Sequence, residues 1–225
     1  MKPVADGLIG LVMVVSLLLP AGCQKKSEPA PAKEKVVFFN GKDFSGWKLF
    51  VEGEDVDAAD IFTVKDGVVN CKGKPNGYMR TEAEYKNYNL HLEWRWVDEP
   101  ANSGVLLHSS GKDQVWPRTI ECQLKAGSAG DFVLINGTGV TVDGEDKQNT
   151  EKQYVVVEKK NPSNEKEAGQ WNTYDIECRG DTIRCTVNGL LQNEGTNATD
   201  TSGWICLQSE GSEIEFRNIY IEPLE

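Results

Sequence analysis

Asn102-Ser103-Gly104-Val105-Leu106-Leu107-His108 and Thr119-Ile120-Glu121-Cys122-Gln123-Leu124 are strand-length runs separated by a loop carrying Trp116-Pro117-Arg118. Gly, Ser and Pro bound both runs, which predicts two strands joined by a loop. In the second run Ile120, Cys122 and Leu124 share one face, and Glu121 and Gln123 share the other. A carboxylate and an amide therefore project from mid-strand beside a loop bearing Trp and Arg. A sheet built this way presents a polar groove able to hold a sugar and to move a proton on it.

Outward from this stretch the chain is strand-like almost throughout. Short runs rich in Val, Ile, Tyr, Trp and Thr alternate with Gly, Asn and Asp turns, predicting strands at 36–39, 62–65, 68–72, 88–97, 104–108, 119–125, 132–135, 153–157, 172–179, 182–188, 203–208 and 214–222. One helical turn is expected at 81–85, and surface loops at 143–152 and 158–170. So many short strands, with no βα alternation, predict an all-β, two-sheet sandwich of jelly-roll type spanning residues 36–225 as one domain. In the run from Tyr88 to Val97, Leu90, Leu92, Trp94 and Trp96 point to the core. His91, Glu93 and Arg95 point the other way, either to solvent or to the floor of a cleft shared with Glu121, Gln123 and His108.

The first 22 residues read as a secretory signal: Lys2, an apolar run from Leu8 to Leu19, then Pro20-Ala21-Gly22-Cys23. Small residues before a cysteine resemble the bacterial lipoprotein cleavage site, with Cys23 lipidated; the plainer alternative is an ordinary signal peptide or an uncleaved anchor, with Cys23 unmodified. Residues 23–35 read as a Pro/Ala/Lys/Glu tether. The expected location is the bacterial cell envelope, on the outer membrane or its periplasmic face, with membrane contact through the lipid alone. The formal charge of the 225-residue chain is −11, which argues against nucleic-acid partners. Removing residues 1–22 takes one lysine and one aspartate and leaves that charge unchanged. Five later cysteines sit among apolar neighbours, as buried thiols do, and no CxxC or Cys/His cluster suggests zinc. Counting outward from a turn at Gly180-Asp181 pairs Cys178 with Ile183 and Cys185 with Ile176, which leaves the two sulfurs diagonal.

Phe39-Asn40-Gly41-Lys42-Asp43-Phe44-Ser45-Gly46-Trp47 resembles the opening motif of the bacterial 3-keto-disaccharide hydrolase domain family. Similar matches follow at Tyr85 to Arg95, Asn102-Ser103-Gly104-Val105, Ile120-Glu121-Cys122-Gln123, Gly169-Gln170-Trp171-Asn172, Val187-Asn188-Gly189 and Ile214 to Ile219. Trp-Pro-Arg before the Glu-x-Gln strand resembles a secreted subgroup. The resemblance implies a concanavalin A-like jelly roll, of the lectin/glucanase type, acting on 3-keto-glycosides. A ketone at C3 acidifies the C2 hydrogen; its removal gives an enolate that expels the C1 substituent, and water then adds to the enone. Such a reaction needs a base, an oxyanion donor and help for the leaving group.

Glu121 is the candidate base, its alternative a hydrogen bond to substrate or an ion pair with Arg118. His108 is a candidate acid or metal ligand, its alternative a structural histidine. Glu93 would assist acid–base work and Arg95 polarise the carbonyl; otherwise they form an exposed pair. Gln123 suits hydroxyl recognition, Trp116 a stacking platform, and Arg118 substrate binding. No cofactor is assigned; a divalent cation stays open as an alternative, and with two histidines in the chain it would be calcium- or magnesium-like. The rival readings are a tethered carbohydrate-binding, lectin-like module and an adhesion domain using the acidic loops.

Overall fold

A computed structural model describes Met1 and residues 35–148 and 152–225. The signal segment, Cys23 and the tether up to residue 34 lie outside the described residues. In chain order the strands are β1 (Val36–Val37), β2 (Trp47–Val51), β3 (Phe62–Lys65), β4 (Val68–Cys71), β5 (Gly77–Thr81), β6 (Tyr88–Trp96), β7 (Gly104–Ser110), β8 (Arg118–Gln123) and β9 (Phe132–Ile135). They continue with β10 (Gly139–Val142), β11 (Glu145–Gln148), β12 (Tyr154–Val157), β13 (Asn172–Arg179), β14 (Thr182–Val187), β15 (Leu190–Gly195), β16 (Trp204–Ser209) and β17 (Ile214–Pro223).

Two antiparallel sheets face each other. The first runs β15-β14-β13-β6-β17-β4-β3, with β1 added to β17; the second runs β12-β9-β8-β7-β16-β5-β2. The non-sequential order makes this an all-β jelly-roll sandwich. Tyr88, Leu90, Leu92, Trp94 and Trp96 of β6 are all buried, and alternate with half-buried Asn89, His91, Glu93 and Arg95. Strand β13 answers in register with buried Tyr174, Ile176 and Cys178. The hairpin register of β13 and β14 pairs Cys178 with Ile183 and Ile176 with Cys185. Cys185 instead meets Cys122 of the opposite sheet, sulfur to sulfur at 2.6 Å, in the middle of the core.

The second sheet differs in a way that matters for the site. Strands β5, β8 and β9 are buried on both faces, or nearly so. Their inner residues enter the main core, whereas Tyr78, Leu106 and Cys206 form a small second core on the outer face, with Phe50 and Trp204 packed against it. The loop at 111–117 is tied down over this face. Asp113 accepts from Arg80 Nε at 2.7 Å, from its Nη2 at 3.2 Å and from Tyr78 Oη at 3.0 Å. The Arg80 guanidinium also lies 3.9 Å from the Trp204 ring.

Three departures from the sequence expectation have local causes. The helical turn lies at Ala58–Ile61, where Asp57 caps it by accepting from Ala59 N at 2.9 Å. Residues 81–85 form no helix: Thr81 closes β5, its hydroxyl donating to the Ala83 carbonyl at 2.7 Å, and Tyr85 bridges to Gly203. Part of the expected loop at 143–152 is the hairpin β10–β11, turned by Asp143-Gly144 with φ of 52° and 79°. Asn188-Gly189, at 47° and 79°, likewise turns β14 into β15, a strand the composition of 190–195 hides. Two successive positive φ values are what a tight two-residue hairpin demands, and glycine meets the second at no steric cost.

Candidate functional site

Glu121 lies at the centre of the outer face of the second sheet, opposite Leu106 on β7 and Val133 on β9. Only 3% of it is exposed, and its Oε1 has no hydrogen-bond partner. It opens into a cavity of about 540 Å³ that is also lined by Asn102, Trp116, Gln123, Lys125, Asp131, Val133, Ile135, Tyr154, Val156, Glu158 and Glu210. That volume falls within the roughly 300–1,000 Å³ of small-ligand sites. Gly104 makes room for the carboxyl: a Cβ there would stand 2.0 Å from Glu121 Oε1. This glycine has ordinary backbone geometry, so what demands it is the close approach of the carboxyl.

A second acid faces the first. Glu210 follows β16 and bridges in antiparallel fashion to Asn102, which precedes β7. Burial pushes the Glu121 carboxyl well above the ordinary carboxylate range, and the neighbouring charge of Glu210 pushes it further. Burial also raises Glu210, while hydrogen bonds from the Asn102 and Gln208 amides and the charge of Lys125 draw it back. The acceptor oxygens Asn102 Oδ1, Glu121 Oε1 and Gln208 Oε1 are all buried without a partner. Native interiors seldom leave such groups unsatisfied, and two of the three belong to residues that line the cavity.

Gln123 lines the same cavity, one pleat along from Glu121. Its Oε1 accepts from the backbone N–H of Leu124 at 3.0 Å and of Lys125 at 2.9 Å, which leaves the amide nitrogen as the donor toward a ligand. Trp116 is 38% exposed on the rim, and its carbonyl accepts from Asn136 Nδ2 at 2.7 Å. Arg118 is committed elsewhere: it grips Asp200 through Nε at 3.0 Å and Nη2 at 2.8 Å, and gives Nη1 to the Asn136 carbonyl at 2.8 Å.

The structure does not bring Glu93, Arg95 or His108 to Glu121. Glu93 and Arg95 belong to β6 in the other sheet and point out of its far side. Glu93 accepts from Arg217 Nε and Asn218 Nδ2, each at 2.7 Å; burial raises its carboxyl, but those two partners outweigh burial and hold it low. Arg95 donates to Glu215 at 2.6 Å and stacks on Trp171. The shared cleft expected from matching strand parity fails because parity is relative to each sheet, and these strands lie in different ones. His108 turns inward at a bulge in the β7–β8 pairing, with φ of 51°. Its Nδ1 contacts the Asp200 carbonyl at 3.0 Å, its ring packs edge-on to Tyr88, and burial holds its basicity down. Among the described residues no group of three His, Cys, Asp or Glu side chains is placed to hold a metal ion.

Asn102, Lys125, Tyr154 and Glu210 complete the cavity and were not singled out from sequence as site residues. Asn102 opens one of the quoted motifs, and that glycine-bearing segment was the available signal. Glu210 had none, because its meeting with Asn102 spans more than a hundred residues of chain.

Residues 34–222 match the model of the 3-keto-alpha-glucoside-1,2-lyase-like domain. A 3-keto-disaccharide hydrolase of Bacteroides thetaiotaomicron is 22% identical over 88% of this chain and 81% of its own length. A crystal structure of a presumed glycosyl hydrolase from Parabacteroides distasonis superposes with a TM-score of 0.62 at 22% identity, covering 85% of this chain and 94% of that one. A β-glucanase of Bacillus licheniformis gives 0.55 at 12% identity, over 83% and 96%, the same sandwich with a remote sequence. With nearly all the described strands inside the matched region, the chain belongs to the 3-keto-alpha-glucoside-1,2-lyase-like domain family.

Proposed function

We propose that this protein cleaves 3-keto-glycosides by abstracting the C2 proton, eliminating the C1 substituent and adding water to the resulting enone. The observation that carries this reading is the buried Glu121 carboxyl in the wall of a ligand-sized cavity, with its Oε1 lacking any hydrogen-bond partner. A carboxylate held above its ordinary pKa is a stronger base once ionised, which suits removal of a carbon-bound proton. Glu121 takes the C2 hydrogen. The Gln123 amide nitrogen and Lys125, the cation in the lining, stand where they can stabilise an enolate oxygen. Glu210 acts on Glu121 through its charge, which keeps the base strong. No matched pair of acid and nucleophile at glycosidase spacing is needed, because the ketone supplies the activation. The substrate is an oligosaccharide or another glycoside already oxidised at C3.

Deuterium exchange at C2 of a 3-keto-glucoside in heavy water tests the proposal directly. Glu121→Gln is expected to lower exchange and turnover by roughly a thousandfold while retaining sugar binding within a fewfold. Turnover surviving in this variant would remove Glu121 from the role of base. Unoxidised disaccharides bound equally well, with no 3-keto sugar consumed, would favour a carbohydrate-binding module.

A further inference from the structure

The cavity has two ends of opposite character, and Glu121 sits where they meet. Toward Gln123 the lining is polar, with Asn102, Lys125, Asp131 and Glu210. In the other direction the sheet turns apolar in a regular way. Glu121 pairs with Val133, which pairs with Val156; one row further on, Thr119 pairs with Ile135, which pairs with Tyr154. Paired residues lie on the same face, so Val133, Ile135, Val156 and Tyr154 form a two-by-two apolar tile beside the carboxyl, with Trp116 at its edge.

Val133 and Ile135 are buried, but the outer half of the tile is open. Tyr154 is 58% exposed, Val156 47% and Trp116 38%, three of the large hydrophobic side chains that the described residues leave open. They sit on the edge strand of the sheet and on an adjoining loop, where a solvated strand normally carries polar or charged groups. The other parity of the same strand, Val155 and Val157, already packs toward the main core. Strand β12 is thus apolar on both faces, although only one faces protein.

Resting on the proposed reaction, we infer that this tile is the leaving-group subsite and that it takes an apolar aglycone rather than a second sugar. The sugar ring occupies the polar end, with C2 over Glu121, and the C1 substituent extends across Val133 and Val156 toward Tyr154 and Trp116. Val133, Ile135 and Val156 are aliphatic and have no hydrogen bond to offer, and Tyr154 has a single hydroxyl. A second sugar laid there would lose water from its hydroxyls without replacement, which is unfavourable for each one stripped. A hydrocarbon group gains from the same burial.

Three 3-keto-glucosides separate the possibilities: the methyl, the cyclohexyl and a glucosyl (disaccharide) compound. Each kcat/KM is divided by that compound's own rate of hydroxide-promoted elimination, because a sugar hydroxyl is a more acidic leaving alcohol than methanol or cyclohexanol. The intact protein is expected to show kcat/KM at least about tenfold higher for the cyclohexyl compound than for the other two. Tyr154→Ala and Val156→Thr, both at exposed positions, are expected to bring the cyclohexyl-to-methyl ratio of kcat/KM down to about one, with thermal melts confirming that both variants fold. A disaccharide that matches or beats the cyclohexyl compound, or variants that slow all three equally, would overturn the inference while leaving the reaction standing. Turnover of none of the three would reject the reaction itself.

Discussion

Glu121 carries an energetic consequence that can be measured without any substrate. Burial, followed by the charge of Glu210, raises its carboxyl above the ordinary value of 4.5. A folded chain that keeps a proton the unfolded chain has released is favoured by low pH. The stability linked to this proton is therefore complete below the ordinary carboxylate range and is lost as pH climbs through the raised value. Glu121→Gln has no proton to lose, so its melting temperature should match the parent near about pH 4 and exceed it by a widening margin toward neutrality. A margin that does not change with pH would mean the carboxyl is not held protonated. Glu210→Gln probes the same residue from its neighbour. Removing that charge leaves burial acting alone, so the rising limb of kcat/KM against pH should move to lower pH. A limb that stays in place would show that the two acids do not communicate.

At the level of elements, strands β6 and β8 read alike in sequence, each alternating core and polar side chains, yet only β8 forms part of the cavity. Around Glu93 the polar face of β6 is a closed network, in which Arg217 and Asn218 satisfy the carboxyl and the guanidinium groups of Arg95 and Arg217 both pack on Trp171. Glu93→Gln should therefore leave turnover within about twofold and lower stability by about 0.5–1 kcal/mol, read from steady-state kinetics and denaturant melts. A hundredfold loss of activity would place the chemistry on the first sheet instead. The polar residues of β8 behave in the opposite manner: Glu121 Oε1 has no partner, and only the carbonyl end of Gln123 is tied. Satisfaction of polar groups, rather than their presence on a strand, distinguishes the two faces. The hairpins teach a related lesson. Asp143-Gly144 and Asn188-Gly189 carry the residue types a tight turn needs, but the polar flanks of β11 and β15 conceal their pairing.

Across the whole molecule, stability comes from the core between the sheets. Phe132 of β9 is fully buried there, and its ring edge lies 3.3 Å from where a Cβ on Gly195 of β15 would stand. Phe132→Ala should cost about 3–5 kcal/mol of unfolding free energy, observed as a fall in denaturant midpoint; a loss under about 1 kcal/mol would mean that the sheets close over the gap. Much of this architecture was legible in the chain. Alternation along Tyr88–Trp96, the turn at Gly180-Asp181 with its cysteine register, and the all-β class follow from side-chain period and turn chemistry, which act over a few residues. The projection of Glu121 and Gln123 from one face of their strand was legible for the same reason. Which sheet that strand joins was not, nor was the arrival of Glu210 beside Asn102, the room left by Gly104 or the inward turn of His108 at its bulge. Those depend on which distant strands pair and on which side of a sheet is covered. Local sequence sets the two faces of a strand, but only the packed sandwich decides which face becomes core, which becomes surface and which becomes the wall of a cavity.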